Sequence, residues 1–176
     1  AESVLAAYTW TGSLSTSWSD PDNWDPIGTP SSLARIIIPD ALTTNYEPTL
    51  LASTEVQTLK IEEGGVLNSV ASEQLVINGS DGAWNNEGGT FNSNNSTLIF
   101  SNLNATVSGT TDFFNVTIPD TAVLLLTSGS TMRIAGAIIN NGTWQTVAGG
   151  STTVEYNGGD QIIVAPNTAT NGYYNL

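Results

Sequence analysis

The sequence predicts an all-β fold, a right-handed parallel β-helix (β-solenoid) whose N-terminal end is closed by a tryptophan-rich cap. Three observations predict it. Apolar residues alternate with polar ones at period two; runs of four to six strand-forming residues are divided by Gly, Asn or Asp; and the chain repeats itself. No stretch carries the 3.6-residue stripe of an amphipathic helix.

The repeat is the most informative of the three. At a shift of 57 positions Leu59-Lys60-Ile61 meets Val116-Thr117-Ile118, Val66-Leu67 meets Val123-Leu124, Leu75 meets Met132, and Ile77 meets Ile134. With small slips in Gly/Asn/Ser stretches, Asn86 meets Asn140, Thr90-Phe91 meets Thr143-Trp144, and Thr97–Phe100 meets Thr153–Tyr156. The substitutions assign the faces. Leu75/Met132 and Ile77/Ile134 stay apolar while Val76 becomes Arg133; Leu98/Val154 and Phe100/Tyr156 stay apolar while Ile99 becomes Glu155. Apolar in and variable out, with period two, describes a half-buried strand.

Each copy is expected to hold about six strands, forming about two coils whose apolar faces are covered only by the coils above and below. The alternative is a tandem array of β-sandwich-like modules, although a sandwich usually takes about 100 residues. The expected layout is a cap or entry module over residues 1–55 and solenoid repeats over 56–176. Unit one spans about 56–112, unit two about 113–172, and a third begins at 173–176. Asn at matched positions (Asn86/Asn140, Asn115/Asn175) suits turns in which stacked amides form hydrogen-bonded ladders.

Composition narrows the function. Sixteen carboxylates stand against Lys60, Arg35 and Arg133, a formal charge of −13. Such a surface repels phosphate backbones and anionic membranes, so no nucleic-acid partner and no membrane insertion are expected. With no His and no Cys, imidazole bases, thiol nucleophiles, disulfides and N/S metal sites are absent by composition. A glycosidase would need two carboxylates facing one cleft, whereas those of the repeats fall at turns or on the outward register. The chain is therefore not expected to be an enzyme, and no cofactor is expected.

The first 55 residues hold three of the five Trp, in Trp10-Thr11-Gly12, Trp18 and Asn23-Trp24, followed by Pro30, the run Ile36-Ile37-Ile38-Pro39, and Pro48. This order resembles the opening module of large secreted surface proteins of Bacteroidota and related bacteria. The units that follow, with Leu59-Lys60-Ile61, Gly79, Gly88-Gly89-Thr90-Phe91 and Phe114-Asn115-Val116, are similar to the repeats of those adhesin-like proteins. The resemblance implies a secreted or cell-surface protein serving in adhesion, gliding or matrix. It names no ligand.

Trp10, Trp18 and Trp24 have two readings: the small core of the cap, or a platform for stacking on glycan rings. Asp20, Asp22, Asn23 and Asp25 form the densest oxygen cluster and are the one candidate Ca²⁺ site, read otherwise as an Asp/Asn-Pro turn. Thr121, in Asp120-Thr121-Ala122, is an O-glycosylation candidate by a three-residue pattern that the resemblance brings with it. The start at Ala1-Glu2-Ser3 has no apolar leader, as expected of a mature form or an excised segment. Tyr173-Tyr174-Asn175-Leu176 repeats Phe113-Phe114-Asn115-Val116, the opening of a unit, so the C-terminal end is expected to be an open interface. Val4, Leu5 and Tyr8 are the candidate segment for pairing with Tyr173, Tyr174 and Leu176 of another copy. The expected partners are thus other copies of the chain or further repeats of a longer parent, with surface glycans as the alternative.

Overall fold

The structure, a computed structural model, describes residues 6–147 and 151–166. Strands β1 (Ala7–Trp10) and β2 (Trp24–Asp25) form the entry, with the 3-10 turn Pro21–Asn23 between them. The first coil is β3 (Arg35–Ile38), β4 (Thr49–Leu50) and β5 (Thr54–Val56); the second is β6 (Thr58–Ile61), β7 (Val66–Ser69) and β8 (Gln74–Ile77). The third is β9 (Trp84–Asn86), β10 (Thr90–Asn92) and β11 (Thr97–Phe100). In the fourth, β12 (Ala105–Phe113) supplies two sides by bending at Gly109 and is followed by β13 (Asn115–Ile118). The fifth is β14 (Val123–Leu126), β15 (Thr131–Ile134) and β16 (Ile138–Asn140), and β17 (Thr143–Thr146) and β18 (Thr153–Tyr156) begin a sixth.

Strand pairing defines a three-sided parallel β-solenoid of about five turns. The first face is β3-β6-β9-β12-β14-β17, with β1 and β2 added at its N-terminal edge. The second face is two sheets end to end, β4-β7-β10 and then β12-β15-β18, and the third is β5-β8-β11-β13-β16. All strand pairings between coils are parallel, and β2 alone among the named strands runs antiparallel to its neighbour. One coil takes between 18 residues (Leu98 to Val116) and 25 (Leu59 to Trp84).

The alternation places the core as expected. Leu75, Ile77, Met132 and Ile134 are buried, with Val76 and Arg133 on the outer surface. Every four-residue strand from β6 to β8 and β13 to β15 repeats the order outward, inward, outward, inward. Ile134→Ala is expected to cost about 2–5 kcal/mol through the cavity it leaves, and Arg133→Ala less than about 1 kcal/mol, because its ion pairs are exposed. Urea unfolding of the two variants checks this, and equal costs would refute the inward/outward assignment.

The register corrects two expectations. The 57-residue shift carries β6 to β13, β7 to β14, β8 to β15, and so on to β11 and β18. This is eight strand segments, with bent β12 counted twice, where six were expected; the copies sit two coils and two faces apart. All three faces obey the same inward/outward rule, so a sequence match shows strand-to-strand similarity without showing which face each strand joins. Coils also begin before residue 56. Ile36 pairs with Leu59 and Leu50 with Ser69, so β3, β4 and β5 belong to the solenoid and the cap proper ends near residue 34.

An amide-to-amide bond does form between register neighbours, at Asn92 and Asn68, and Asn102 bonds backbone instead. Asn92 donates to Asn68 Oδ1 at 2.8 Å, one coil below, and Asn102 donates to the carbonyl of Asn78 at 2.8 Å. Asn86 and Asn140 lie on different faces and do not stack. Asn86 is instead a buried brace. Its amide donates to the Thr110 carbonyl (2.7 Å) and Thr111 Oγ1 (3.2 Å), and its Oδ1 accepts from the Gly88 and Gly89 N–H groups. Here β10 and β12 make no ladder, and Asn86 and the Trp84 indole, which donates to Thr111 Oγ1 at 3.0 Å, bind the fourth coil in its place. Trp84, Phe91 and Phe113 pack together at this level, with Trp84 edge-on to each phenyl ring at 5.1 and 5.3 Å.

Candidate functional site

The cap is the first candidate, and its geometry corrects the glycan-platform reading. Trp10, Trp18 and Trp24 are 1%, 4% and 1% exposed. Trp24 lies between the other two, edge-on at 4.9 and 4.7 Å, and Tyr8 closes on it from 6.3 Å. The Trp24 indole donates to the Trp18 carbonyl (2.8 Å) and the Trp10 indole to the Tyr46 carbonyl (2.7 Å). A stacking platform needs an open ring face, and these rings are spent on the cap's own core. Apolar burial explains it: the end of a solenoid exposes a layer of core, and large aromatics cover it with few residues.

Two members of the oxygen cluster, Asp20 and Asn23, are likewise committed. Asp20 Oδ1 accepts from the Asp22 N–H at 3.2 Å as the cap of the 3-10 turn. Asn23 is fully buried: its Oδ1 accepts from the Leu14 and Ser15 N–H groups (2.9 and 3.0 Å), and its Nδ2 donates to Ser15 Oγ and the Ser17 carbonyl (both 3.0 Å). All four hydrogen-bonding positions of that amide are filled, so Asn23 is a brace and has no oxygen free for a cation. Asp25 lies in β2, opposite Thr9. No group of three or more His, Cys, Asp or Glu suited to a metal occurs among the described residues. EDTA is expected to leave the melting temperature almost unchanged. A gain of about 2–3 kcal/mol at millimolar Ca²⁺ would contradict this placement.

The self-association segment is also changed. Tyr8 pairs with Ile36 inside the chain's own sheet, and its strand is already flanked on both sides, by β2 and β3. On the β2 side the pairing covers Thr9 and Trp10 of that strand. Val4, Leu5, Tyr173, Tyr174 and Leu176 lie outside the described residues. Thr121 is exposed at the Asp120-Thr121 turn with φ 69°, and its N–H is bonded to Asp120 Oδ1 at 3.0 Å.

Charge is distributed unevenly over the outer faces. On the second face Asp112, Arg133 and Glu155 stand in register on three successive coils, with Arg133 bonded to Glu155 at 2.9 Å and to Asp112 at 3.5 Å. The Glu155 hydrogen bond, helped by the charge of Asp112, raises the Arg133 pKa further. At the corner after the first face, Lys60 bridges Glu87 (3.0 Å) and Glu62 (3.2 Å). The hydrogen bonds that Lys60 donates to Glu87 and then to Glu62 raise its pKa, and the contact with Lys60 lowers that of Glu87. The third face differs: from the second coil on, its outward rows are Gln74, Thr97, Asn115 and Ala137 beside Val76, Ile99, Thr117 and Ile139, with no charge among them.

An open groove of about 440 Å³ borders this face, lined by Asn115, Ala135–Ala137 and Gly159–Ile162. Its single ionisable lining group is Asp160, which does not make the carboxylate pair that glycoside hydrolysis needs.

A family model described as a domain of unknown function, DUF8693, matches residues 9–113. The chain belongs to this family. The DUF8693 match spans the tryptophan cap and the first three coils and ends on the last residue of β12, so the braces at Asn23, Asn86 and Thr111 all fall inside it. No curated protein and no solved structure matches the chain.

Proposed function

We propose that this DUF8693 domain is a non-catalytic, structural and adhesive β-solenoid of a secreted or cell-surface protein. The observation that carries the reading is where its chemistry is spent. Two polar side chains, Asn23 buried in the cap and Asn86 buried at the third coil, are used to brace backbone. The basic side chains Lys60 and Arg133 are held by carboxylates on neighbouring coils. This suits a rod that holds a spacing and presents lateral faces. The resemblance to bacterial adhesin-like surface proteins supports the exported setting. With the N-terminal edge of the solenoid covered by β1 and β2, the proposed partners, further repeats or other copies, would stack at the β16–β18 end.

Two measurements test the reading. Incubation with a panel of neutral and acidic polysaccharides is expected to release no reducing ends, and any release would overturn the non-catalytic assignment. Labelling of intact cells of the source with a membrane-impermeant reagent is expected to mark the protein, and protection from the reagent would overturn the surface assignment.

A further inference from the structure

Asn-Gly bonds are chemically weak points, because glycine's backbone nitrogen reaches the preceding amide carbon without steric hindrance. The described residues contain three: Asn78-Gly79, Asn141-Gly142 and Asn157-Gly158. The fold treats them differently. Gly79 donates its N–H to the Gln57 carbonyl at 2.8 Å, and the Asn78 amide is tied to Glu55 (2.7 Å) and to the Ser32 carbonyl (2.9 Å). Gly142 donates to the Ile118 carbonyl at 3.2 Å. Both nitrogens are thus held by backbone carbonyls of the preceding coil. Gly158 is exposed, and its N–H is held by a side chain, Gln161 Oε1, at 2.7 Å.

We infer that Asn157 is a self-modification site of this protein, where deamidation starts and where Gln161 sets its rate. The Gly158 nitrogen loses its proton and attacks Asn157 Cγ; the new N–C bond displaces the side-chain nitrogen, which leaves as ammonia. Water then opens the cyclic imide at either carbonyl, giving aspartate or isoaspartate with no change of oxidation state. At Gly79 and Gly142 the attack requires opening a backbone bond between coils, which is a costly local unfolding. At Gly158 it requires that one half-buried side chain, Gln161, swing away with its own hydrogen bonds, while the backbone ladder between coils stays closed. The product also has a structural consequence. Gln161 Nε2 donates to the Ile134 and Gly136 carbonyls (2.9 and 2.6 Å), and Asn157 N–H to Ile134 (3.0 Å), so Gln161 and Asn157 together fasten residues 157–161 to the fifth coil. A new carboxylate between Glu155 and Asp160, or an isoaspartate's extra main-chain carbon, works against that fastening.

Peptide mapping by mass spectrometry of folded protein aged at mildly alkaline pH tests the inference. Deamidation at Asn157 is expected to outpace that at Asn141 and Asn78 by at least about tenfold, and the three rates to converge in denaturant. Gln161→Ala is expected to accelerate Asn157 several-fold while leaving Asn78 unchanged. Asn78 serves as the internal gauge of coil integrity: if it accelerates too, the variant has loosened globally and the wild-type ranking decides alone. Equal rates at the three sites in the folded wild type, Asn78 or Asn141 modified first, or an unchanged Asn157 rate in an intact Gln161→Ala variant would overturn the inference.

Discussion

Replacing Asn23 with alanine is expected to cost about 4–6 kcal/mol and to open the cap. The substitution removes one fully buried amide and leaves the Leu14 and Ser15 N–H groups, Ser15 Oγ and the Ser17 carbonyl without the partner they share. A buried polar group stripped of its partner costs about 1–3 kcal/mol, and this change strips several in one loop. The loop also carries Trp18 and leads into Trp24, so the three edge-on indoles lose their support together. Urea unfolding followed by tryptophan fluorescence checks the expectation, with a red-shifted signal at denaturant concentrations where the wild type remains folded. Asn23→Asp keeps the two acceptor contacts and loses the donated pair, and should fall between the wild type and alanine. An alanine variant within about 1 kcal/mol of the wild type would show that the cap does not depend on this brace.

Gly109→Ala is expected to be comparably severe, at least about 4 kcal/mol, and Gly129→Ala mild, about 1–2 kcal/mol. Both glycines have the same left-handed backbone, φ 81° and 80°. Their surroundings differ. A Cβ on Gly109 would run into the backbone carbonyl of Asn86, its register partner one coil below, whereas one on Gly129 would meet nothing within 4 Å. The shared dihedral cancels in the comparison, leaving the cost of forcing two coils apart where β12 bends between faces without a loop. Thermal melts of the two variants measure it, and similar losses at both sites would mean that the coils are not in close contact there.

Much of this architecture was legible in the sequence because burial in a solenoid has one rule on every face. Leu75/Met132 and Leu98/Val154 exposed that rule by what they keep, and Val76/Arg133 and Ile99/Glu155 by what they change. The same uniformity hid the geometry. Strands on all three faces look alike, so the 57-residue match joined β6 to β13 and β8 to β15 across different faces. The reach of the cap is hidden in the sequence because Arg35–Ile38 differs from later coils while pairing with them in register. The oxygen cluster shows a different limit. Asn23 beside three Asp reads as a ligand set until the loop of residues 13–17 is seen to wrap around its amide. Asn86 had a signal, since it is followed by Gly88-Gly89, the pair whose N–H groups it receives. Its second role, reaching Thr110 and Thr111 on the next coil, depends on a contact 24 residues away that local pattern does not reveal.

Consecutive coils stack in parallel, in this register, about three outer faces. The chain has no cysteine, so introduced pairs report without interference. Val76→Cys with Ile99→Cys places thiols on register partners in adjacent coils of the third face, about 5 Å apart in the hydrogen-bonding direction. Val76→Cys with Arg133→Cys places them at positions equivalent in the sequence repeat but on the third and second faces. A short thiol cross-linker applied to the folded protein is expected to join the first pair rapidly and to leave the second unjoined. Joining of the second pair, or failure of the first in a protein that melts like the wild type, would contradict the three-sided solenoid.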